Sequence, residues 1–210
     1  MIQAVIFDLD GVIVSTDELH YKAWKKMADT HGIEFNHEIN HRLRGVSRMA
    51  SLGIILEKAS KSFSDQEKEE MANSKNQDYV SLLQTLTEEN ILPYVKEVLL
   101  CLKDKGIRIA IGSSSKNARL ILKQIGLFEM FDVIADGNDI IHSKPDPEIF
   151  IKASEKLGIY RSHCAVVEDA VAGIDAAKAA GMIAFAIEDA KKSYIADYKI
   201  NDLREILEHI

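Results

Sequence analysis

Residues 2 to 7, IQAVIF, form an almost unbroken apolar run rich in β-branched side chains, which turns polar at Asp8 and reaches a glycine at position 11. That pattern predicts a buried strand. From residue 17 to about 90 no such run recurs, and apolar residues return at helical spacing in a charged background, as in DELHYKAWKKMADTHG and SDQEKEEMANSKNQDYVSLLQTL. This is a helical block. Beyond Pro93 the pattern alternates: helix YVKEVLLCLKDKG, strand IRIAIGSSS, helix KNARLILKQIG, strand DVIAD, helix PEIFIKASEKLG, strand CAVVED, helix GIDAAKAAG and strand MIAFAI. Single helices between successive strands imply right-handed βαβ units and a parallel sheet.

The first strand belongs with that sheet, so the helical block is an insertion between strand one and the rest. The expected fold class is α/β: a Rossmann-like parallel-sheet core, residues 1–15 and 88–210, with an inserted helical cap domain, residues 16–87. The crossings near Ser15–Thr16 and over residues 82 to 92 are expected to form a hinge, with Thr16 where the chain bends. The alternative is one mixed α/β domain whose helical excursion does not move.

Composition narrows the partners. With 210 residues, 47% of them hydrophobic, the chain can bury a real core in one or two units. Its 26 Lys and Arg against 33 Asp and Glu leave a net charge of -7, which argues against a delocalised grip on nucleic acid or an anionic membrane. Any anionic partner must be held by local positive groups. No basic stretch precedes the first apolar run and no apolar run approaches a spanning length, so the expected location is the cytoplasm. Cys101 and Cys164 lie far apart among apolar neighbours and read as buried thiols in a reducing compartment. Without an obvious exposed apolar run, a monomer is expected.

The chemistry lies at predicted strand ends. Asp8 and Asp10 would share one face if the strand continued, at the carboxyl edge where parallel α/β sheets bind ligands. Two neighbouring carboxylates repel unless a cation or proton separates them, which divides them into an acid and a base or nucleophile. A turn in which Asp10 caps and Gly11 takes a positive φ explains the pair equally well. Glu168 and Asp169 follow the apolar AVV at another strand end and could converge with the first pair. Four acids without a His/Cys ligand set favour Mg²⁺ over Zn²⁺. Ser113, Ser114 and Ser115 end a third strand, where hydroxyls and free N–H groups can hold phosphate oxygens or simply cap the helix from Lys116. Lys144, between Ser143 and Pro145, is expected on a loop, and its neighbours favour a phosphate role over solvated surface.

DLDGVIVST, the SSS after a strand, SKPDPEIF and VEDAVAGIDAAKAAGM together resemble the four ordered motifs of the haloacid dehalogenase superfamily of aspartate-nucleophile phosphotransferases. The resemblance implies that Asp8 is the nucleophile, Asp10 the general acid and base, and Ser113 and Lys144 the stabilisers of the transferring phosphoryl group. It also implies that Asp8, the Asp10 backbone carbonyl, Glu168 and Asp169 hold Mg²⁺.

Within the insertion, Thr16, His20 and Trp24 recur every four residues and share a helix face, where His20 reads either as a packed core histidine or as a site residue. RGVSRMAS supplies Gly45 for close backbone approach, Ser47 and Ser51 as hydroxyls, and Arg48 as a phosphate fork. Lys75 and Asn76 follow on a later helix. TDELHYKAW, LRGVSRMASL, KNQDYV and SSSKN resemble the sugar-phosphate mutases of that superfamily more than its phosphatases, although the middle serine, Ser114, stands where alanine is expected. By that resemblance Arg48 holds the distal phosphate with Lys116 and Asn117. His20, Trp24, Gly45, Val46, Ser47, Ser51, Lys75 and Ser115 would complete the substrate site. The implied reaction interconverts β-glucose 1-phosphate and glucose 6-phosphate through β-glucose 1,6-bisphosphate, with closure of the cap excluding water. A sugar-phosphate or phosphoglycolate-type phosphatase and a non-catalytic sugar-phosphate sensor on the same fold are the alternatives.

Overall fold

The computed structural model describes residues 1–210. In chain order the elements are β1 (Ala4–Phe7), α1 (Asp17–Thr30), α2 (His37–His41), α3 (Arg48–Leu56), α4 (Asp65–Leu83), α5 (Val95–Asp104), β2 (Arg108–Gly112), α6 (Ala118–Gln124), β3 (Val133–Ala135), α7 (Glu148–Leu157), β4 (Cys164–Glu168), α8 (Val171–Ala179), β5 (Ile183–Ala186) and β6 (Tyr198–Lys199). The chain divides into two compact units, Met1–Ser15 with Thr87–Ile210, and Thr16–Leu86.

The first unit is an α/β layer structure around a six-stranded sheet, ordered β3-β2-β1-β4-β5-β6, with every pairing parallel. β1 lies between β2 and β4, with Phe7 opposite Ile111 on one side and Val167 on the other. The strands read as continuous apolar runs because they are covered on both faces: all residues of β1 and β4 are buried. One face packs Ile6, Ala110 and Val166 against Ile149, Phe150, Ile174 and Ala177 of α7 and α8. The segment leaving β1 and the segment returning toward α5 run side by side, for Val14 bridges Ile91 and the Leu92 N–H donates to the Ile13 carbonyl at 3.0 Å.

The second unit is all helix. Trp24, Met27 and Ala28 of α1, Leu52 and Ile55 of α3, and Met71 and Ala72 of α4 form its core with Ile33, Phe35 and Phe63. Ser64 starts α4 with a reciprocal capping box to Glu67. No helix in either unit is long and apolar enough to cross a membrane.

Three local readings change. β1 stops at Phe7, so the pleat does not carry through to Asp10. Gly11 adopts φ 86° and its N–H bonds the Val14 carbonyl at 2.8 Å, the positive-φ turn that was the alternative to a continued strand. Helix α6 begins at Ala118 rather than Lys116, with Asn117 as its N-cap and no side-chain cap, so the serines do not cap it. β6, two exposed residues at the sheet edge, has no apolar signature and escapes pattern reading. Of the cysteines, Cys164 is buried but Cys101 only partly so, and both are free thiols. Burial pushes the Cys164 thiol up to about 11, away from reactivity.

Candidate active site

The order β3-β2-β1-β4 reverses direction at β1, and ligands of open α/β sheets sit beyond the carboxyl ends of strands at such a point. Both acidic pairs lie there. The Asp8 N–H donates to the Val167 carbonyl at 3.0 Å, so the ladder between β1 and β4 carries Asp8 directly to Glu168. Lys144, on the loop before α7, is 4% exposed, and its amine is bonded to the carboxylates of both Asp8 and Glu168. Burial alone would pull such an amine down, but the two carboxylates outweigh it and hold Lys144 above the ordinary lysine range. The lysine is therefore a fixed positive charge.

The second pair behaves oppositely. Burial first, then the negative charge of Asp8, raises Glu168 to about 7 against the pull of Lys144. Burial followed by the charges of Glu168, Asp8 and Asp10 raises Asp169 to about 9. Asp169 thus lies within electrostatic reach of Asp8, Asp10 and Glu168, and Glu168 within reach of Asp8. Such an excess of hard oxygen donors, Asp8 and Glu168 buried and Asp10 and Asp169 half-buried, fits a divalent cation such as Mg²⁺, which would relieve the burial cost.

The serine loop ends β2, next to β1. Ser113 is buried, its N–H donates to the Ala135 carbonyl at 3.1 Å, and its hydroxyl oxygen accepts from the Ser115 N–H at 3.2 Å. Ser115 repeats the motif, accepting from the Asn117 N–H at 3.2 Å. The Ser114 hydroxyl is buried without a hydrogen-bond partner. Lys116 is exposed and Asn117 partly so, at the start of α6.

Within the helical unit a second group assembles. Thr16 is fully buried at the N-cap of α1, and its hydroxyl pairs with the Tyr79 hydroxyl at 2.8 Å. His20 packs on Tyr79 with ring centroids 4.0 Å apart and the rings tilted by 35°, and its Nδ1 lies 2.9 Å from Lys75 Nζ. Lys75, 3% exposed, sits over the rings of Trp24 at 4.7 Å and Tyr79 at 4.4 Å. Burial, then the charges of Lys75 and Arg48, hold His20 well below the usual histidine range, so its imidazole is neutral. Gly45, Val46 and Ser47 form the turn into α3. The Ser47 side chain caps that helix through the Ala50 N–H, Arg48 donates to Asn76 Oδ1 at 2.8 Å, and Ser51 is buried.

The first unit thus brings together Asp8, Asp10, Lys144, Glu168 and Asp169, with Ser113 just past the end of the neighbouring strand. The second brings together Thr16, His20, Trp24 and Lys75, with Arg48 close enough for its charge to act on His20. Tyr79, which joins Thr16 to His20, is a centre that motif reading missed. Its signal was available, four residues after Lys75 on one helix face.

A family profile described as haloacid dehalogenase-like hydrolase matches residues 2–181. The chain belongs to that family of enzymes. Within it, the chain is 40% identical over 206 residues to a β-phosphoglucomutase of Bacillus subtilis, covering 97% of this chain and 91% of that protein. It superimposes on the crystal structure of a Clostridium difficile β-phosphoglucomutase with a TM-score of 0.92 and 40% identity, over 99% of this chain and 96% of that one. A phosphorylated carbohydrates phosphatase of Thermotoga maritima is 30% identical, with coverage of 98% and 90%.

Proposed function

We propose that the protein is a Mg²⁺-dependent intramolecular phosphotransferase of the isomerase class, reversibly interconverting β-D-glucose 1-phosphate and D-glucose 6-phosphate. β-Glucose 1,6-bisphosphate serves as intermediate and primer. The reading is carried by one observation: at the switch point a buried lysine joins Asp8 to the acidic pair at the end of β4. It is supported by the 40% identity to the Bacillus subtilis β-phosphoglucomutase, against 30% to the Thermotoga phosphatase.

In this reading an Asp8 carboxylate oxygen attacks phosphorus, the bond between phosphorus and the sugar oxygen breaks, and that oxygen leaves with a proton from Asp10. In the return step a sugar hydroxyl attacks the phosphoaspartate, gives its proton to Asp10 and frees Asp8. The Ser113 hydroxyl and the Lys144 ammonium hold the oxygens of the transferring group. Asp8, the Asp10 backbone carbonyl, Glu168 and Asp169 would hold Mg²⁺, which supplies positive charge to those oxygens.

A mutase handles a sugar bearing phosphate at either end, so it needs a second anion holder. That role is assigned to Arg48, with Lys116 and Asn117, while His20, Trp24, Gly45, Val46, Ser47, Ser51, Lys75 and Ser115 shape the sugar site and Thr16 serves the hinge. The functional domains are then 1–15 with 88–210 for catalysis and 16–87 for substrate choice, in a monomeric cytoplasmic enzyme.

The test supplies β-glucose 1-phosphate, Mg²⁺ and a trace of glucose 1,6-bisphosphate, and reads glucose 6-phosphate and free phosphate separately. Primer-dependent glucose 6-phosphate with little free phosphate is expected. Free phosphate without glucose 6-phosphate would make the protein a sugar phosphatase and leave Arg48 without its role.

A further inference from the structure

The turn that follows β3 is organised around a buried carboxylate. Asp136 is 1% exposed, and its Oδ1 accepts from the Asn138 N–H at 2.9 Å and from Asn138 Nδ2 at 3.0 Å. Its Oδ2 accepts from Arg119 Nε at 3.1 Å, and Arg119 also donates to the Ile134 carbonyl at 2.9 Å. The Asp136 N–H in turn donates to Asp139, which is paired with Lys156 at 2.7 Å. Every polar group of Asp136 is therefore engaged in fixing one short turn.

That turn lies against the serine loop. The Gly137 N–H donates to the Ser115 carbonyl at 3.1 Å, and Asn138 Nδ2 donates to the Lys116 carbonyl at 3.1 Å. A Cβ at position 137 would stand 2.3 Å from the Ser114 carbonyl oxygen and 3.0 Å from the Lys116 nitrogen, so only glycine admits this approach. Together with the bond from the Ser113 N–H to Ala135, three loop residues are tied to the end of β3. From the other side α6, which starts only at Ala118, reaches the loop through the Ala118 N–H, which donates to the Ser115 carbonyl at 3.4 Å.

We propose that Gly137 and Asn138 are positioning residues for the phosphate-binding loop, with Asn138 acting through the Lys116 carbonyl. This rests on the phosphoester reading above. Hydroxyl and amide donors stabilise a transferring group only when held within a fraction of an ångström, and neither Gly137 nor Asn138 needs to touch the substrate to provide that. Asn138 is exposed, so its replacement leaves the core intact.

The experiment compares wild type, Asn138→Ala, Asn138→Gln and Gly137→Ala on p-nitrophenyl phosphate and on β-glucose 1-phosphate with primer, alongside thermal melts. Asn138→Ala is expected to raise KM roughly fivefold, with kcat changed less than KM and the melting temperature nearly constant. Asn138→Gln should recover part of the loss, and Gly137→Ala should exceed it. An unchanged KM, or a melting loss without a kinetic one, would overturn the proposal. Wild type that hydrolyses the aryl ester but ignores β-glucose 1-phosphate would overturn the proposed substrate alone, with the brace then judged on the aryl ester. Wild type inert on both esters would overturn both readings.

Discussion

At the scale of single residues the governing quantity is the cost of burying charge. Lys144 sits between Ser143 and Pro145, a context that signals a loop and says nothing of burial, yet its amine is enclosed against Asp8 and Glu168. Three segments distant in sequence create that enclosure, so no local pattern encodes it. Lys144→Ala removes the only cation that the structure places on both carboxylates, leaving them to repel each other and Asp169. The expected result is a fall in kcat of about 10² to 10³, with little change in far-UV circular dichroism. Activity within a few fold of wild type would show that Lys144 is only a structural counter-ion. His20 illustrates the same cost from the other side: its helix-face periodicity was readable, whereas its neutral state depends on burial and on Lys75 arriving from α4.

At the scale of elements, strand ends and helix starts aim the side chains. β4 ends at Glu168, and α8 begins three residues later, after the Ala170 N–H has donated to Glu168 Oε2 at 3.0 Å. The first turn of α8 packs its backbone directly on that carboxylate. A Cβ at Gly173 would lie 1.9 Å from Glu168 Cδ and 2.0 Å from Oε1, so the carboxylate holds its place only because position 173 lacks a side chain. Gly173→Ala should retain its helix content yet weaken Mg²⁺ binding by tenfold or more, read by calorimetric titration of Mg²⁺ into the protein without substrate. Undiminished affinity would remove Glu168 from the assigned metal set. Helix and strand types were legible in the sequence because their periods are local. The turn at Gly11 was legible only as one of two alternatives, and the late start of α6 was not, since each depends on hydrogen bonds that compete with simple continuation of the neighbouring pattern.

At the scale of the molecule, the acidic cluster is expected to couple stability to pH and, as the proposed cation site, to Mg²⁺. Glu168 moves from an ordinary 4.5 to about 7, and Asp169 from an ordinary 3.8 to about 9, each because burial disfavours the charged form. The unfolded chain releases these protons at lower pH than the folded one. Across that window the folded state binds more protons, and stability falls as pH rises. In chelator the melting temperature should therefore drop from about pH 5 to pH 9, and Mg²⁺, which prefers the ionised carboxylates, should restore more stability at the high end than at the low. Melting curves with and without Mg²⁺ that run parallel across this range would contradict the assignment of the cluster as a cation site.

What the sequence by itself determined is the alternation of elements, the helical insertion and the chemical types waiting at strand ends, because hydrophobic period and turn chemistry act between near neighbours. The four ordered motifs also made the family legible in advance of the fold. Tertiary structure alone decided that β1 lies between β2 and β4, which brings Asp8 beside Glu168 across 160 residues of chain and encloses Lys144 between them. It likewise decided that a turn after β3, unremarkable as the letters ADGND, clasps the serine loop. Register between distant strands and the burial of a charge are properties of the assembled sheet, set by the sum of many weak contacts, and no short stretch of residues contains them.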